Sequence, residues 1–133
     1  MYAIAIEDQR LVWREHEAPS SIAADAVRID VAWAGMNRAD AMQRAGHYPP
    51  PEGESEIPGL EVSGTIAEVG RGVERFKPGD KVCALLAGGG YAEQVVVAEA
   101  QVLPIPTGLG LREAAALPEV FATAWLNLYM EGA

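Results

Sequence analysis

The chain has 133 residues, of which 50% are hydrophobic and 22% charged, a balance typical of one globular domain with a sizeable core. Its 19 acidic and 10 basic side chains give a formal net charge of −9, which excludes the phosphate-neutralising surface of a nucleic-acid-binding protein and disfavours anionic lipid. The first residues do not show the pattern of a signal peptide, a basic region followed by an apolar one, and no apolar run is long enough to span a bilayer. We therefore expect no nucleic acid and no membrane among the partners.

Cys83 is the only cysteine, so an internal disulfide and a thiolate zinc site are both excluded by counting. Its apolar surroundings in the sequence predict a buried and unreactive thiol. This cysteine usage favours a reducing compartment, and we expect a cytoplasmic protein.

The first elements of the chain have the pattern of β-strands. Residues 2–7 and 11–16 predict a hairpin with its turn at Asp8 and Gln9. Residues 27–33 alternate with a period of two, which predicts a half-buried strand with one apolar face: Val27, Ile29, Val31 and Trp33.

A short helix and a long loop follow. Asn37 stands at the position of a helix cap, with Asp40 three residues later in the first turn and the helix ending near Gly46. The prolines at 49, 50, 51 and 58 forbid regular structure up to the next strand. Loops of this length are often functional.

Four more short strands are predicted between residues 62 and 105. In residues 62–69, Gly64 predicts a bulge or a close approach of two backbones. Residues 77–80 form a Pro-Gly turn before residues 81–86, and the glycines at 88–90 turn the chain into residues 91–98 and then 102–105. About seven short strands in all predict a small β-barrel.

The last segment changes character and predicts a helix over residues 111–130. Its apolar side chains recur at helical spacing and cover more than one face: Leu117, Phe121, Ala122, Ala124, Trp125, Leu128 and Tyr129. Such a helix requires another body to pack against.

The residues that carry candidate chemistry lie mostly around the loop: Asn37, Asp40, Tyr48 and Glu61, with Thr123 on the late helix. No nucleophile and base pair stands out, because His16 fits an exposed structural position in a strand and His47 has no partner in the pattern. The two histidines and one cysteine are too scattered for a zinc site.

The order of motifs resembles the medium-chain dehydrogenase/reductase superfamily. The runs are GMNRADAMQRAGHYPPP from Gly35, IPGLEVSGTIAEVG from Ile57, FKPGDKVCALLAGGGYAEQVVV from Phe76 and AAALPEVFATAW from Ala114. Within that superfamily the chain is similar to the zinc-independent NAD(P)H:quinone oxidoreductases related to zeta-crystallin, and in particular to their tumour-suppressor-induced branch. The resemblance implies a GroES-like β-barrel that lines one side of a cleft.

The resemblance also implies that zinc is absent. The zinc branch has a cysteine where this chain has Asn37 and a histidine where it has Leu60, and it inserts a four-cysteine lobe where Leu85 here runs into Gly88. We therefore expect a metal-free enzyme that uses NADPH or NADH.

The cofactor-binding half of the family is not found in this sequence. No G-x-G-x-x-G motif occurs after any of the glycine clusters. We expect residues 1–116 to form the GroES-like domain and residues 117–133 a linker helix towards a nucleotide-binding Rossmann domain outside this chain. The isolated chain is then expected to fold without catalysing, and the full-length enzyme to be a homodimer.

The resemblance assigns roles to particular residues. It implies catalytic roles for Asn37, Tyr48 and Asp40, and cofactor contacts for Tyr48, Thr123 and Asn37. For each there is a structural alternative: a helix cap for Asn37, a helix-dipole or capping role for Asp40, packing for Tyr48 and a backbone hydrogen bond for Thr123. Glu61 has two interpretations, a buried structural carboxylate or a proton relay.

The implied reaction is hydride transfer from NAD(P)H to a quinone or conjugated carbonyl, with Tyr48 and Asn37 as hydrogen-bond donors to the acceptor oxygen. Three alternatives stay open: a 2-enoyl reductase of the same superfamily, a non-catalytic GroES-like assembly module, and a binding domain that works without a catalytic partner.

Overall fold

A computed structural model describes residues 1–132 of the chain, and within that range the structure has seven strands and three short α-helices. The strands are β1 (Tyr2–Glu7), β2 (Arg10–Glu15), β3 (Ala26–Ala34), β4 (Glu61–Val69), β5 (Lys81–Leu85), β6 (Gln94–Ala98) and β7 (Val102–Pro104). The helices are α1 (Arg38–Arg44), α2 (Leu111–Ala114) and α3 (Ala122–Trp125). The prediction of a mainly β fold with short helices is confirmed.

Five strands form an antiparallel sheet in the order β6-β3-β4-β5-β7, and this sheet curls into a half-barrel. The β1-β2 hairpin closes against it through the segment that precedes β6. The N–H of Ile4 donates to the carbonyl of Tyr91 at 2.8 Å, and the N–H of Glu93 donates to the carbonyl of Tyr2 at 3.1 Å. The hairpin turn lies where the sequence predicts it, because Asp8 and Gln9 both have positive φ, 47° and 60°.

The core lies between the curled strands and is built from their inward-facing side chains: Val27, Ile29, Val62, Ile66, Val82, Ala84, Leu86, Val95, Val97 and Val102. Gly64 permits the closest approach in this sheet, since a Cβ there would overlap the carbonyl of Asp30 on β3. The predicted close contact of two backbones at Gly64 is therefore confirmed.

Two sequence predictions about strands are wrong. Trp33 does not share the buried face of Val27 and Ile29: its side chain is 50% exposed, because the pairing of β3 with β4 shifts by one residue between Val31 and Trp33. The strand predicted from residue 91 begins instead at Gln94, since residues 88–93 make the turn that meets the hairpin.

The prediction for His16 is also wrong. His16 follows β2 and is partly buried rather than exposed, with its Nε2 enclosed and without a hydrogen-bond partner in the described part of the chain.

The predicted late helix is present, with one break at its start. After α2 and a turn at residues 115–116, the chain is helical without interruption from Leu117 to Glu131, and α3 is flanked in it by wider, π-helical turns at Leu117–Phe121 and Leu126–Glu131. We call residues 117–132 the terminal segment; the last predicted linker residue, Ala133, lies outside the described residues. Pro118 at its start is buried, but its large apolar side chains are exposed: Phe121, Trp125, Leu126, Leu128, Tyr129 and Met130. Across residues 1–132, no helix combines the length and apolar character needed to cross a membrane.

Candidate functional site

Asn37 occupies the point where β3 has ended and α1 begins. Its backbone is extended, as at a helix cap, and its N–H donates to Asp40 Oδ2 at 2.7 Å. The Nδ2 group of its side chain donates to Glu61 Oε1 at 3.0 Å. Two carboxylates therefore hold Asn37: Asp40 accepts from its backbone N–H, and Glu61 accepts from its side-chain amide.

Asp40 is a buried carboxylate with three donors around it. Besides the N–H of Asn37, its Oδ2 accepts from the hydroxyl of Tyr91 at 2.8 Å, and its Oδ1 accepts from the N–H of Gly59 at 3.2 Å. Burial, assisted by the hydrogen bond to Asp40, raises the pKa of Tyr91 well above its usual range. The phenol thus stays a donor, and Asp40 joins α1 to two loops.

Tyr91 is the member of this cluster that sequence reasoning did not identify. The sequence did offer an indication, because Tyr91 directly follows the turn at glycines 88–90, and a tight turn fixes the position of the side chain after it. Its partner Asp40 lies 51 residues away in the sequence, however, and only the packing of the two loops brings them together.

The Pro-Gly bend and the triple-glycine turn pack backbone to backbone next to this cluster. The N–H of Gly90 donates to the carbonyl of Gly59 at 3.1 Å, and the N–H of Tyr91 donates to the carbonyl of Pro58 at 2.9 Å. Gly59 has φ of 108°, and a Cβ on it would lie 2.7 Å from the Cα of Gly90. The glycines of both motifs are thereby explained by close approach and backbone conformation.

Glu61, the first residue of β4, is fully buried. While Oε1 accepts from Asn37, Oε2 accepts from the N–H of Glu119 at 2.9 Å and from the N–H of Val120 at 3.4 Å. Of the two interpretations from the sequence, the structure places Glu61 as a buried, hydrogen-bonded carboxylate. The sequence did not indicate that its partners lie in the terminal segment.

A cavity of about 220 Å³ opens beside Asn37. Its wall combines the polar cluster with apolar and aliphatic side chains: Leu11, Met36, Asn37, Asp40, Ala41, Arg44 and Tyr91. A second, more open and mostly apolar cavity of about 390 Å³ shares Met36 and Tyr91 with it. The two cavities together offer a few polar groups beside a largely apolar lining, as small-molecule sites commonly do.

Tyr48 is not part of this cluster. It follows the C-terminal end of α1, is 41% exposed, and lines a separate cavity of about 300 Å³ with His16, Gln43 and Glu56 among the polar neighbours. The structure therefore brings Asn37, Asp40 and Glu61 together and sets Tyr48 apart, on the other end of the helix.

Thr123 lies on α3 in the terminal segment and is exposed. Its hydroxyl donates to Glu119 Oε1 at 3.1 Å, so the structural alternative of a bond to the backbone is not the one observed. Thr123 lies four residues, or about one helical turn, after Glu119, whose N–H donates to Glu61; it is therefore one turn away from the cluster of Asn37, Asp40 and Glu61.

The side chains around Asn37 do not fit a zinc site. Asn37 directs its N–H₂ group at a carboxylate, and Leu60 is a buried, apolar neighbour on the approach to β4. Within residues 1–132, no group of three or more His, Cys, Asp or Glu side chains is placed to share a metal ion.

A reduced nicotinamide fits the available groups only in part. Tyr48 offers an exposed aromatic face and a hydroxyl at its cavity, which suits an uncharged ring or a ribose. The described residues that line this cavity include no lysine or arginine, so a dinucleotide pyrophosphate would meet no cationic side chain of this group there.

Comparisons with known proteins show which proteins this chain is similar to. The synaptic vesicle membrane protein VAT-1 homolog of Danio rerio is 41% identical over 103 residues, 77% of this chain and 21% of that protein. Quinone oxidoreductase-like protein 2 of Bos taurus is 34% identical over 122 residues, 92% of this chain and 35% of that protein. The crystal structure of CurK enoyl reductase superposes with a TM-score of 0.82 at 25% identity, covering 95% of this chain and 41% of that one.

The chain thus spans between about a fifth and two fifths of the length of these proteins. The family of the alcohol dehydrogenase GroES-like domain matches residues 23–107, which include β3 to β7 and the whole Asn37 cluster apart from the terminal segment. The predicted GroES-like fold is confirmed by this match. The chain belongs to the alcohol dehydrogenase GroES-like domain family, within the medium-chain dehydrogenase/reductase superfamily.

Proposed function

We propose that this chain is the substrate-binding domain of a zinc-independent oxidoreductase that transfers hydride from NAD(P)H to quinones or related conjugated carbonyls. Support comes from the relatives named as quinone oxidoreductase-like proteins and from the apolar cavity that opens at Asn37. NAD(P)H supplies the hydride when it is bound. The domain's own task is to orient the acceptor and to stabilise charge on its oxygen.

The arrangement of Asn37 is the observation that carries this proposal. The side-chain amide of Asn37 donates to buried Glu61 while its backbone N–H donates to buried Asp40, and a mostly apolar cavity lies beside it; this arrangement is suited to hydrogen bonding and not to metal ligation. The second N–H of Nδ2 is the donor available to an acceptor oxygen. The Tyr48 hydroxyl lies at the other end of α1, so we assign it to the cofactor side of the cleft rather than to the same oxygen.

The terminal segment supports a partner domain. Its exposed aromatic and aliphatic side chains include Phe121 at 61% and Trp125 at 60% exposure, an arrangement that costs free energy unless another surface covers them. We propose that a nucleotide-binding domain packs there and carries the dinucleotide phosphates, which have no cationic partner at the Tyr48 cavity.

The experiment is a turnover assay with the chain joined to the nucleotide-binding domain of a related quinone oxidoreductase. After chelator treatment, oxidation of NADPH or NADH should depend on added quinone, and Asn37→Ala should lower kcat/KM by about tenfold, which corresponds to about 1.4 kcal/mol of transition-state stabilisation. The 133-residue chain alone should give only the buffer rate. Activity that is lost on chelation and restored by zinc would refute the proposal.

Enoyl reduction is the second candidate, and a specific similarity favours it. The structural neighbour CurK is an enoyl reductase with the same domain over 95% of this chain. The two activities share fold and cofactor, so they are separated by comparing kcat/KM for a quinone and for an enoyl thioester in the same assay. A preference for the thioester of about a hundredfold, equivalent to about 2.7 kcal/mol, would replace the quinone assignment.

A further inference from the structure

The Glu61 carboxylate is a junction between two distant parts of the chain. Oε1 accepts from the side chain of Asn37, 24 residues before it, and Oε2 accepts from the N–H groups of Glu119 and Val120, 58 and 59 residues after it. The three donors are all N–H groups, one on a side chain and two on the backbone. Both oxygens are therefore used, each by a different segment.

This site is shaped for a carboxylate. Glu61 is fully buried, and no lysine or arginine forms an ion pair with it in the part of the chain that the structure describes. Burial without a cation is tolerable because the N–H donors replace the lost water. Gly35 completes the fit, since a Cβ at that position would overlap the Glu61 carboxylate.

A glutamine at position 61 cannot keep all three present hydrogen bonds. It has the same shape but only one acceptor oxygen, so its N–H₂ group faces either the N–H of Glu119, donor against donor, or Asn37, whose amide must then turn over and give up its present orientation. An aspartate keeps both oxygens but is one methylene shorter, so it cannot span both segments.

We propose that Glu61 is a positioning residue for Asn37, which it orients with one oxygen while the terminal segment fixes the other. The orientation of the Asn37 amide then depends on where residues 119 and 120 lie. Because those residues begin the segment with the exposed apolar side chains, any surface that binds the segment is coupled to the amide through one side chain. The catalytic meaning of this rests on the proposed function; the positioning itself does not.

The two asparagines of the sequence make this directly measurable. Selective ¹⁵N labelling of asparagine gives side-chain amide signals for Asn37 and Asn127 only, and Asn127 Nδ2 donates to the Thr123 carbonyl, far from Glu61 in its contacts. In the 133-residue protein, Glu61→Gln should move the Asn37 amide protons upfield, as expected on loss of a carboxylate acceptor. In a second, uniformly ¹⁵N-labelled sample, the backbone amides of Glu119 and Val120 should also move. Asn127 should move less than Asn37, because its acceptor, the Thr123 carbonyl, lies one helical turn beyond Glu119.

Ser63→Ala is the matched control. Ser63 is also buried on β4 and also contacts the last part of the chain, since its hydroxyl donates to the carbonyl of Leu111, but it does not touch Asn37. It should lower Tm by a few degrees, as loss of one hydrogen bond of about 1 kcal/mol does, and leave the Asn37 signals in place. An Asn37 amide that is unmoved in Glu61→Gln, or moved equally by Ser63→Ala, would overturn the proposal.

A kinetic cycle in the joined enzyme adds the functional test. Glu61→Gln should lower kcat/KM by about tenfold when Asn37 is present and by less than about twofold in an Asn37→Ala background, because it acts through that residue. Equal losses in both backgrounds would overturn the positioning role in catalysis. Absence of any turnover would refute the proposed function, whereas the amide signals decide the positioning without activity.

Discussion

Replacing Asp40 with asparagine tests the physical account of the site most directly. Oδ2 of Asp40 accepts from two donors, the N–H of Asn37 and the hydroxyl of Tyr91, whereas Oδ1 accepts only from the N–H of Gly59 at 3.2 Å. The single oxygen of an asparagine should therefore take the Oδ2 position, which leaves its N–H₂ group facing Gly59. One hydrogen bond is lost there, and two become weaker.

The magnitude follows from these contacts. A hydrogen bond to a charged group contributes about 1.5–3 kcal/mol, and the unpaired donors add a desolvation cost, so Asp40→Asn should lower the free energy of unfolding by about 2–4 kcal/mol. Urea unfolding followed by far-ultraviolet circular dichroism measures this, provided that the slope against denaturant is unchanged.

Asp30→Asn is the matched control, because Asp30 is exposed and accepts a single bond, from Gln94. It should change the free energy of unfolding by less than about 0.5 kcal/mol. If Asp40→Asn is equally silent, or if the two variants cost the same, the reasoning that a buried three-donor carboxylate holds these loops together is refuted.

Three further predictions concern single side chains. Burial, and then the hydrogen bond to Asp40, raises the pKa of Tyr91, so the protonated phenol stabilises the fold below the ordinary tyrosine pKa of about 10 and this contribution is lost as the pH rises above it. The free energy of unfolding should therefore fall less steeply with alkaline pH in Tyr91→Phe than in the wild type, and identical pH profiles would contradict this. Burial raises the pKa of Cys83, which is 1% exposed, so iodoacetamide at pH 8 should label it only as urea unfolds the protein, and fast labelling of the native chain would contradict this. In the joined enzyme, Tyr48→Phe should lower kcat/KM by about tenfold with an unchanged melting temperature; unchanged kinetics, together with a lowered melting temperature for Tyr48→Ala, would reduce Tyr48 to packing.

Features set by neighbouring residues were predictable from the sequence. The hairpin turn at Asp8 and Gln9, the strand from residue 26, the helix start at Asn37 and the close approach at Gly64 all depend on local backbone chemistry or on a period of two. The prediction failed where long-range pairing intervenes: a shift in register turns Trp33 outward, although the local pattern places it inside.

The site was predictable only as a set of residue types. Asn37, Asp40 and Glu61 were identified, and they do lie together, but their hydrogen-bond partners could not be read from the pattern because these are 19 to 59 residues away or on the backbone. The family resemblance assigned Tyr48 and Asn37 to one site, yet they lie at opposite ends of α1 and line separate cavities. Their roles, like the cytoplasmic setting, the homodimer and the domain boundary after residue 116, stay predictions.

Asp40 and Glu61 both hold Asn37, but their other hydrogen-bond partners differ, so we expect their loss to affect different properties of the protein. All contacts of Asp40 lie within residues 37–91, among loops that the core already fixes, so its loss is felt as stability. Glu61 reaches out of that region to residues 119 and 120, where few buried contacts hold the chain and large apolar side chains face solvent. An element of low local stability is the one that a binding partner can move. The main chain of Asn37 is thereby bonded to Asp40 within the barrel, and its amide is bonded through Glu61 to the terminal segment, so a domain that packs on the exposed apolar side chains of that segment would act on the amide through Glu61.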